Sequence, residues 1–393
     1  MIPMPIILLI IGLLLIIGSI VIHEWGHFIQ AKRNGVEVEE FGIFFPPRIY
    51  SRTTKSGWVF SINALPLGGF VRLKGEHDSD TEPGTFGASS QWVKTKILLA
   101  GISMNFITGL ILFTILALLG MPQIIDNQYT YHSDTKTVNQ KVLISDVVTG
   151  SQAEKAGLKN GDQLIAISTL NGSKKIYIHS STTLPSITKQ FAGQKTIVYY
   201  SRNGIPKTVG VALLPASEVI ASQKTNHPKY ELGVAPQQIN IYRSTWSAPI
   251  VAVRLSLQLI WATIIGLGHT IAGLGGLVAG LLTHNTVARQ NAQTAATANV
   301  TGPVGIYKIL STSSSLGYQF VLFMVAYISI VLAFMNALPI PVVDGGKLYL
   351  ILITRAIKRP LSAKREEAIS LVTIVILLLL FVLITIADVK RFY

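Results

Sequence analysis

Residues 1–22 carry no charged side chain, and apolar character runs on to Ala31. A run of this kind approaches the ~20 residues that a helix needs to cross hydrocarbon. Three more occupy about 97–119, 320–338 and 369–386, the second closed by Gly120 and Pro122 and the third by Pro339 and Pro341. Charged residues make up 13% of the 393, against roughly 25% in soluble globular chains. Disorder is excluded, since it requires low hydrophobicity. The sequence therefore predicts a polytopic α-helical membrane protein with about four transmembrane helices and one water-soluble insert. The first run lacks the basic start and small-residue cleavage site of a secretory signal, and we expect it to be a retained span.

The formal charge is +14, from 33 Lys+Arg against 19 Asp+Glu. These bases are scattered through loops with no aromatic interleaving, so contact with anionic lipid is expected and a nucleic-acid partner is not. Lys32, Arg33, Arg48, Arg52, Lys55, Arg72, Lys74, Lys94 and Lys96 separate the first two runs; Lys347, Arg355, Lys358, Arg359, Lys364 and Arg365 separate the last two. The positive-inside rule places both loops in the cytoplasm and both termini outside. The insert at 121–245 is then extracytoplasmic. Residues 247–283 are apolar too, but hold Arg254, His269 and several glycines. We expect an interfacial or re-entrant element there, a hairpin pair being the alternative.

His23-Glu24-Trp25-Gly26-His27 is an HExxH motif inside the first run. On a helix, positions i and i+4 share a face, so both imidazoles can reach one Zn²⁺, with Glu24 beside them as the base for an attacking water. If the helix continues to Ala31, His23 lies about 12 Å from its cytoplasmic end. Ionisable groups in such a span default to function.

A catalytic zinc needs a third protein ligand, and the sequence contains no cysteine. Asp344 fits, in Asn336-Ala337-Leu338-Pro339-Ile340-Pro341-Val342-Val343-Asp344-Gly345-Gly346. The prolines stop the preceding helix, and the glycines permit a turn that presents the carboxylate. Asn336 could hold a substrate backbone or steady an oxyanion, with helix–helix packing as the alternative.

Together these motifs resemble the site-2 protease family of intramembrane zinc metalloproteases, and most the bacterial regulator of sigma-E protease group. Leu65-Pro66-Leu67-Gly68-Gly69-Phe70-Val71 is similar to that family's membrane-associated β-hairpin, Gly101 to Asn105 to its GxxxN motif, and Gly302 to Ile306 to its segment before the third span. The resemblance implies zinc on His23, His27 and Asp344, Glu24 as catalytic base, and substrate contact at Asn336, Gly68 and Gly69. Val343 stands where the family often has Leu, and only one PDZ-sized insert fits where the group often has two.

Arg48–Thr54 and Trp58–Asn63 alternate like strands around Lys55-Ser56-Gly57. An exposed sheet edge here could receive an unwound stretch of substrate helix. Residues 141–234 read as a small α/β domain. Within it, 151–167 resembles the PDZ helix-turn-strand signature, and Ile197–Ser201 pairs with Ile205–Val209 through an Asn-Gly turn. Its role is peptide capture or exclusion of bulky ectodomains. His132, His179, His227 and His284 are expected on the solvated surface, His77 and His269 have no partner at ligand spacing, and 284–300 reads as a linker.

The expected organisation is a first helix with the zinc motif (1–35), a loop with the hairpin (36–96), a second helix (97–120), the PDZ-like domain (121–245), the apolar segment and linker (246–319), a third helix with the Asp-Gly motif (320–346), and a basic loop with the fourth helix (347–393). The expected activity is zinc-dependent cleavage of single-pass membrane substrates in regulated intramembrane proteolysis, or clearance of signal-peptide remnants, in the bacterial inner membrane. A non-catalytic adaptor and a metal transporter are the competing readings.

Overall fold

The computed structural model describes residues 3–77, 80–223, 228–283, 285, 302–358 and 362–392. His227, His284 and the expected linker lie outside them. The chain divides into two compact units, one formed by 1–10, 113–251 and 310–323, the other by 11–112, 252–309 and 324–393.

Among the described residues, five helices are long and apolar enough to cross a membrane. Helices α1 (Met4–Arg33) and α2 (Gln91–Leu119) match the first two expected spans, and α2 begins six residues early. Three short helices follow, α3 (Gln152–Lys155), α4 (Leu184–Gln190) and α5 (Ala216–Ser222). The next is α6 (Ala248–Leu282), one continuous helix rather than a re-entrant element or a hairpin pair. Its glycines each cost about 1 kcal/mol relative to Ala in water. Asp134 anchors its start, accepting hydrogen bonds from the amides of Thr245 and Ser247 and from the Ser247 hydroxyl.

Helices α7 (Pro303–Leu316) and α8 (Tyr318–Asn336) come next. The end of α8 falls two residues before the expected one, since residues preceding Pro339 avoid helical angles. α9 (Asp344–Ala356) and α10 (Ala363–Phe392) complete the chain. Leu371 and Leu379 on α10 are more than 60% exposed, as fits a helix surrounded by lipid.

The first unit centres on a seven-stranded sheet. Its strands are β3 (Met121–Pro122), β4 (Lys136–Val147), β5 (Gln163–Thr169), β6 (Lys175–Tyr177), β7 (Lys195–Arg202), β8 (Ile205–Ala212) and β9 (Val234–Arg243). Their order is β3-β9-β4-β5-β7-β8, with β6 added to β5. Ile144, Leu164, Ile167, Phe191 and Val198 fill its core. The expected hairpin is β7–β8, and Asn203 and Gly204 both take the positive φ that its tight turn requires. The capping sequence Ser151-x-x-Glu154 starts α3, with Ser151 Oγ accepting from the Glu154 amide. Buried Asp162 is clamped by Arg202 at 2.7 and 2.8 Å.

In the second unit, β1 (Val38–Thr53) and β2 (Val59–Leu73) form a hairpin much longer than the alternation suggested. It folds back on itself: Glu40 lies between Arg72 on one side and Val59 on the other, leaving Gly69–Leu73 as an outer edge. Phe28, Phe41, Leu73, Phe86, Ile97, Leu98 and Leu348 bury together, seating the hairpin on α1, α2 and α9. Each such side chain contributes about 1.5–3 kcal/mol, enough to fix the strand edge beside α1.

Candidate metal centre

The HExxH spacing does what helical geometry requires. His23 and His27 project from one face of α1, both buried, with their Nε2 atoms 3.2 Å apart. Asp344, the first residue of α9, places Oδ2 3.1 Å from His23 Nε2 and 3.2 Å from His27 Nε2. That oxygen is buried without a hydrogen bond of ordinary geometry. Three donors on one tetrahedral zinc, with bonds of about 2.0–2.1 Å, stand about 3.3 Å apart. The triangle needs only a few tenths of an ångström of expansion, so these residues fit a zinc ion. They are the one His/Asp/Glu group with metal-ligating proximity among the described residues.

The chain reaches this geometry by close backbone approach. A Cβ on Gly346 would lie 1.7 Å from the Ile340 carbonyl oxygen. The glycines after Asp344 therefore serve to pack the Pro339–Pro341 turn against the start of α9, where the sequence had suggested a glycine turn. A Cβ on Gly101 would stand 2.3 Å from His27 Nε2, so α2 can pass the triad only because residue 101 has no side chain.

α2 also supplies partners for the outer nitrogens of both histidines. His27 Nδ1 lies 2.8 Å from the Ile97 carbonyl, and His23 Nδ1 lies 3.3 Å from the Asn105 side chain. Sequence reasoning gave Asn105 no role. The signal was present in the i, i+4 spacing of Gly101 and Asn105, which matches that of the histidines.

A cavity of about 300 Å³ opens on the triad. Glu24 lines it together with Gly69, Phe70 and Val71 from the hairpin edge. Gly69 stands against Glu24, whose Cγ would be 3.0 Å from a Cβ there. Gly68 packs against the Phe45 ring and is not among the lining residues. Asn336 ends α8, and its backbone carbonyl packs against Gly345; it too is absent from the lining. His132, His179 and His269 are exposed, while His77 faces Glu366 and Glu367 at 3.6 and 3.4 Å.

Two imidazoles and a carboxylate converging beside a glutamate, carried on apolar helices, define the class as a membrane-embedded metallohydrolase. The chain belongs to peptidase family M50, the site-2 protease family, whose model matches residues 11–380. It is a zinc metalloprotease and a membrane protein by that membership. It is 29% identical, over 97% of its length and 98% of the relative's, to a Clostridium perfringens protein named "putative zinc metalloprotease". A Clostridium acetobutylicum protein of the same designation is 25% identical, with 94% of each chain covered. Zinc metalloprotease RasP of Shouchella clausii is 23% identical over 95% of this chain and 96% of its own.

Proposed function

We propose that this chain hydrolyses a peptide bond within, or at the edge of, a transmembrane segment of a single-pass membrane protein. His23, His27 and Asp344 hold the zinc in this reading, and Glu24 is the catalytic base. The observation that carries it is the convergence of His23 Nε2, His27 Nε2 and Asp344 Oδ2 within 3.2 Å of one another, on a cavity that Glu24 lines. When bound, the metal supplies Lewis-acid polarisation of the scissile carbonyl and an acidified water. The Glu24 carboxylate takes a proton from the attacking water and returns it to the leaving nitrogen.

A substrate helix hides its scissile amide in its own hydrogen bonds and must unwind first. The Gly69–Leu73 edge lines the same cavity, and such a strand could add to it by backbone hydrogen bonding. Gly69 lets that strand approach Glu24. Asn336 then contacts substrate only if substrate entry moves the end of α8.

The sheet unit is PDZ-like in this reading, capturing an extended segment or excluding bulky ectodomains. A cavity of about 690 Å³ lined by Val147, Thr149, Ser151, Lys155, Leu214 and Tyr230 suits such a segment. In this reading the metal centre faces the cytoplasmic side of a bacterial inner membrane and the sheet unit lies outside, which the distribution of basic residues supports. Its role is regulated intramembrane proteolysis or signal-peptide remnant clearance.

The test is Glu24→Gln in purified full-length protein with a model transmembrane substrate. Zinc content is expected to stay at the wild-type level while cleavage is lost. Retained cleavage refutes the base assignment, and an inactive but zinc-loaded wild-type protein supports an adaptor instead.

A further inference from the structure

We infer that Asn105 is a positioning residue for the metal centre, accepting the Nδ1 proton of His23 through its side-chain oxygen. The inference rests on the ligand assignment proposed above and extends it to α2.

An imidazole that gives its Nε2 lone pair to a metal must carry its proton on Nδ1. That proton needs an acceptor, because His23 is buried. For His27 the acceptor is the Ile97 carbonyl at 2.8 Å. For His23 the group in position is the Asn105 amide, itself 1% exposed and 3.3 Å from Nδ1. The amide nitrogen is the nearer atom, and the oxygen is buried without a hydrogen-bond partner.

With the nitrogen forward, Asn105 donates to Nδ1, which leaves the imidazole proton on Nε2 facing Asp344. That arrangement keeps His23 from ligating. A half-turn of the amide exchanges its oxygen and nitrogen with little change of shape. It gives the orphaned oxygen a donor, moves the proton to Nδ1 and frees Nε2 for the ion. The carbonyl of Ile97 fixes His27 in the ligating form in the same way.

The experiment measures zinc affinity by competition with a chromophoric chelator, and the visible absorption of the Co²⁺-substituted site, on full-length protein in detergent. The variants are Asn105→Leu, Asn105→Asp and His27→Ala. Loss of a second partner of this kind typically weakens metal binding about 10- to 100-fold, and that loss is expected for Asn105→Leu, with an altered Co²⁺ spectrum. Asn105→Asp can accept but cannot donate, and is expected to bind zinc within about threefold of wild type with the wild-type spectrum.

An Asn105→Asp site as weak as Asn105→Leu overturns the acceptor role, as does wild-type affinity in Asn105→Leu. Because Asn105→Asp tests the role by rescue, a folding defect confined to Asn105→Leu does not blunt it. His27→Ala separates the two layers. If it keeps stoichiometric zinc, the ligand assignment itself fails; if it loses zinc while Asn105→Leu does not, only the role of Asn105 fails.

Discussion

Asp344 Oδ2 lies 3.1 Å from His23 Nε2, although one residue opens α9 and the other lies deep in α1. Such proximity of a carboxylate and two imidazoles is costly where water is excluded unless an ion or a proton is shared among them. The fold holds it with backbone approaches too close for any side chain, at Gly346 against Ile340 and at Gly101 against both histidines.

Gly101→Ala follows directly from that packing. A methyl group 2.3 Å from His27 Nε2 must push the imidazole or α2 aside. Displacement of about 1 Å in a catalytic group costs on the order of 100-fold in rate. We expect at least that loss in cleavage of a model transmembrane substrate, together with reduced zinc content, both measured on purified protein.

Hairpin stability should depend on acid through Glu40. Burial favours its neutral form, but hydrogen bonds from Ser61 and Arg48 and the charges of Arg48 and Arg72 outweigh that and hold its pKa below the ordinary glutamate value. A carboxyl with a depressed folded pKa contributes stability that is fully present above the unfolded value, about 4.3, and disappears as pH falls through the folded one. Urea unfolding followed by fluorescence of a protein retaining Trp58 as its only tryptophan should show Glu40→Gln less stable at pH 7. The two proteins should converge as the pH falls below about 4.

Much of this architecture is legible in the chain. Uninterrupted apolar runs mark α1, α2, α8 and α10, and HExxH fixes the face that carries His23 and His27. Asp344 emerges by elimination, since without cysteine few ligands remain. What the residues do not disclose is where backbone meets backbone. Gly101 and Gly346 read as turn or helix glycines, and only packing shows that each makes room for another segment. The continuity of α6 is hidden for a related reason. Gly266, Gly268, Gly273, Gly275 and Gly276 look like breakers on scales set in water, where a lost hydrogen bond can be replaced. The fold-back of β1 and β2 is invisible because Glu40, Phe41, Gly42 and Ile43 each pair on both sides, which alternation along the chain does not reveal.

The proposed orientation can be read cleanly, because the sequence contains no cysteine. Single cysteines at the exposed positions Lys55 and Lys159 give one label each. In intact cells a membrane-impermeant maleimide should label Lys159→Cys and spare Lys55→Cys until the membrane is opened. Equal labelling of both in intact cells contradicts the assignment.

The central claim is that two histidines of α1 and the carboxylate that opens α9 hold one ion. Zinc X-ray absorption on purified, zinc-loaded Glu24→Gln protein tests it most directly. The account requires two imidazole scattering shells with only nitrogen and oxygen donors, at about 2.0–2.1 Å. A site with no imidazole, one imidazole or three would contradict it.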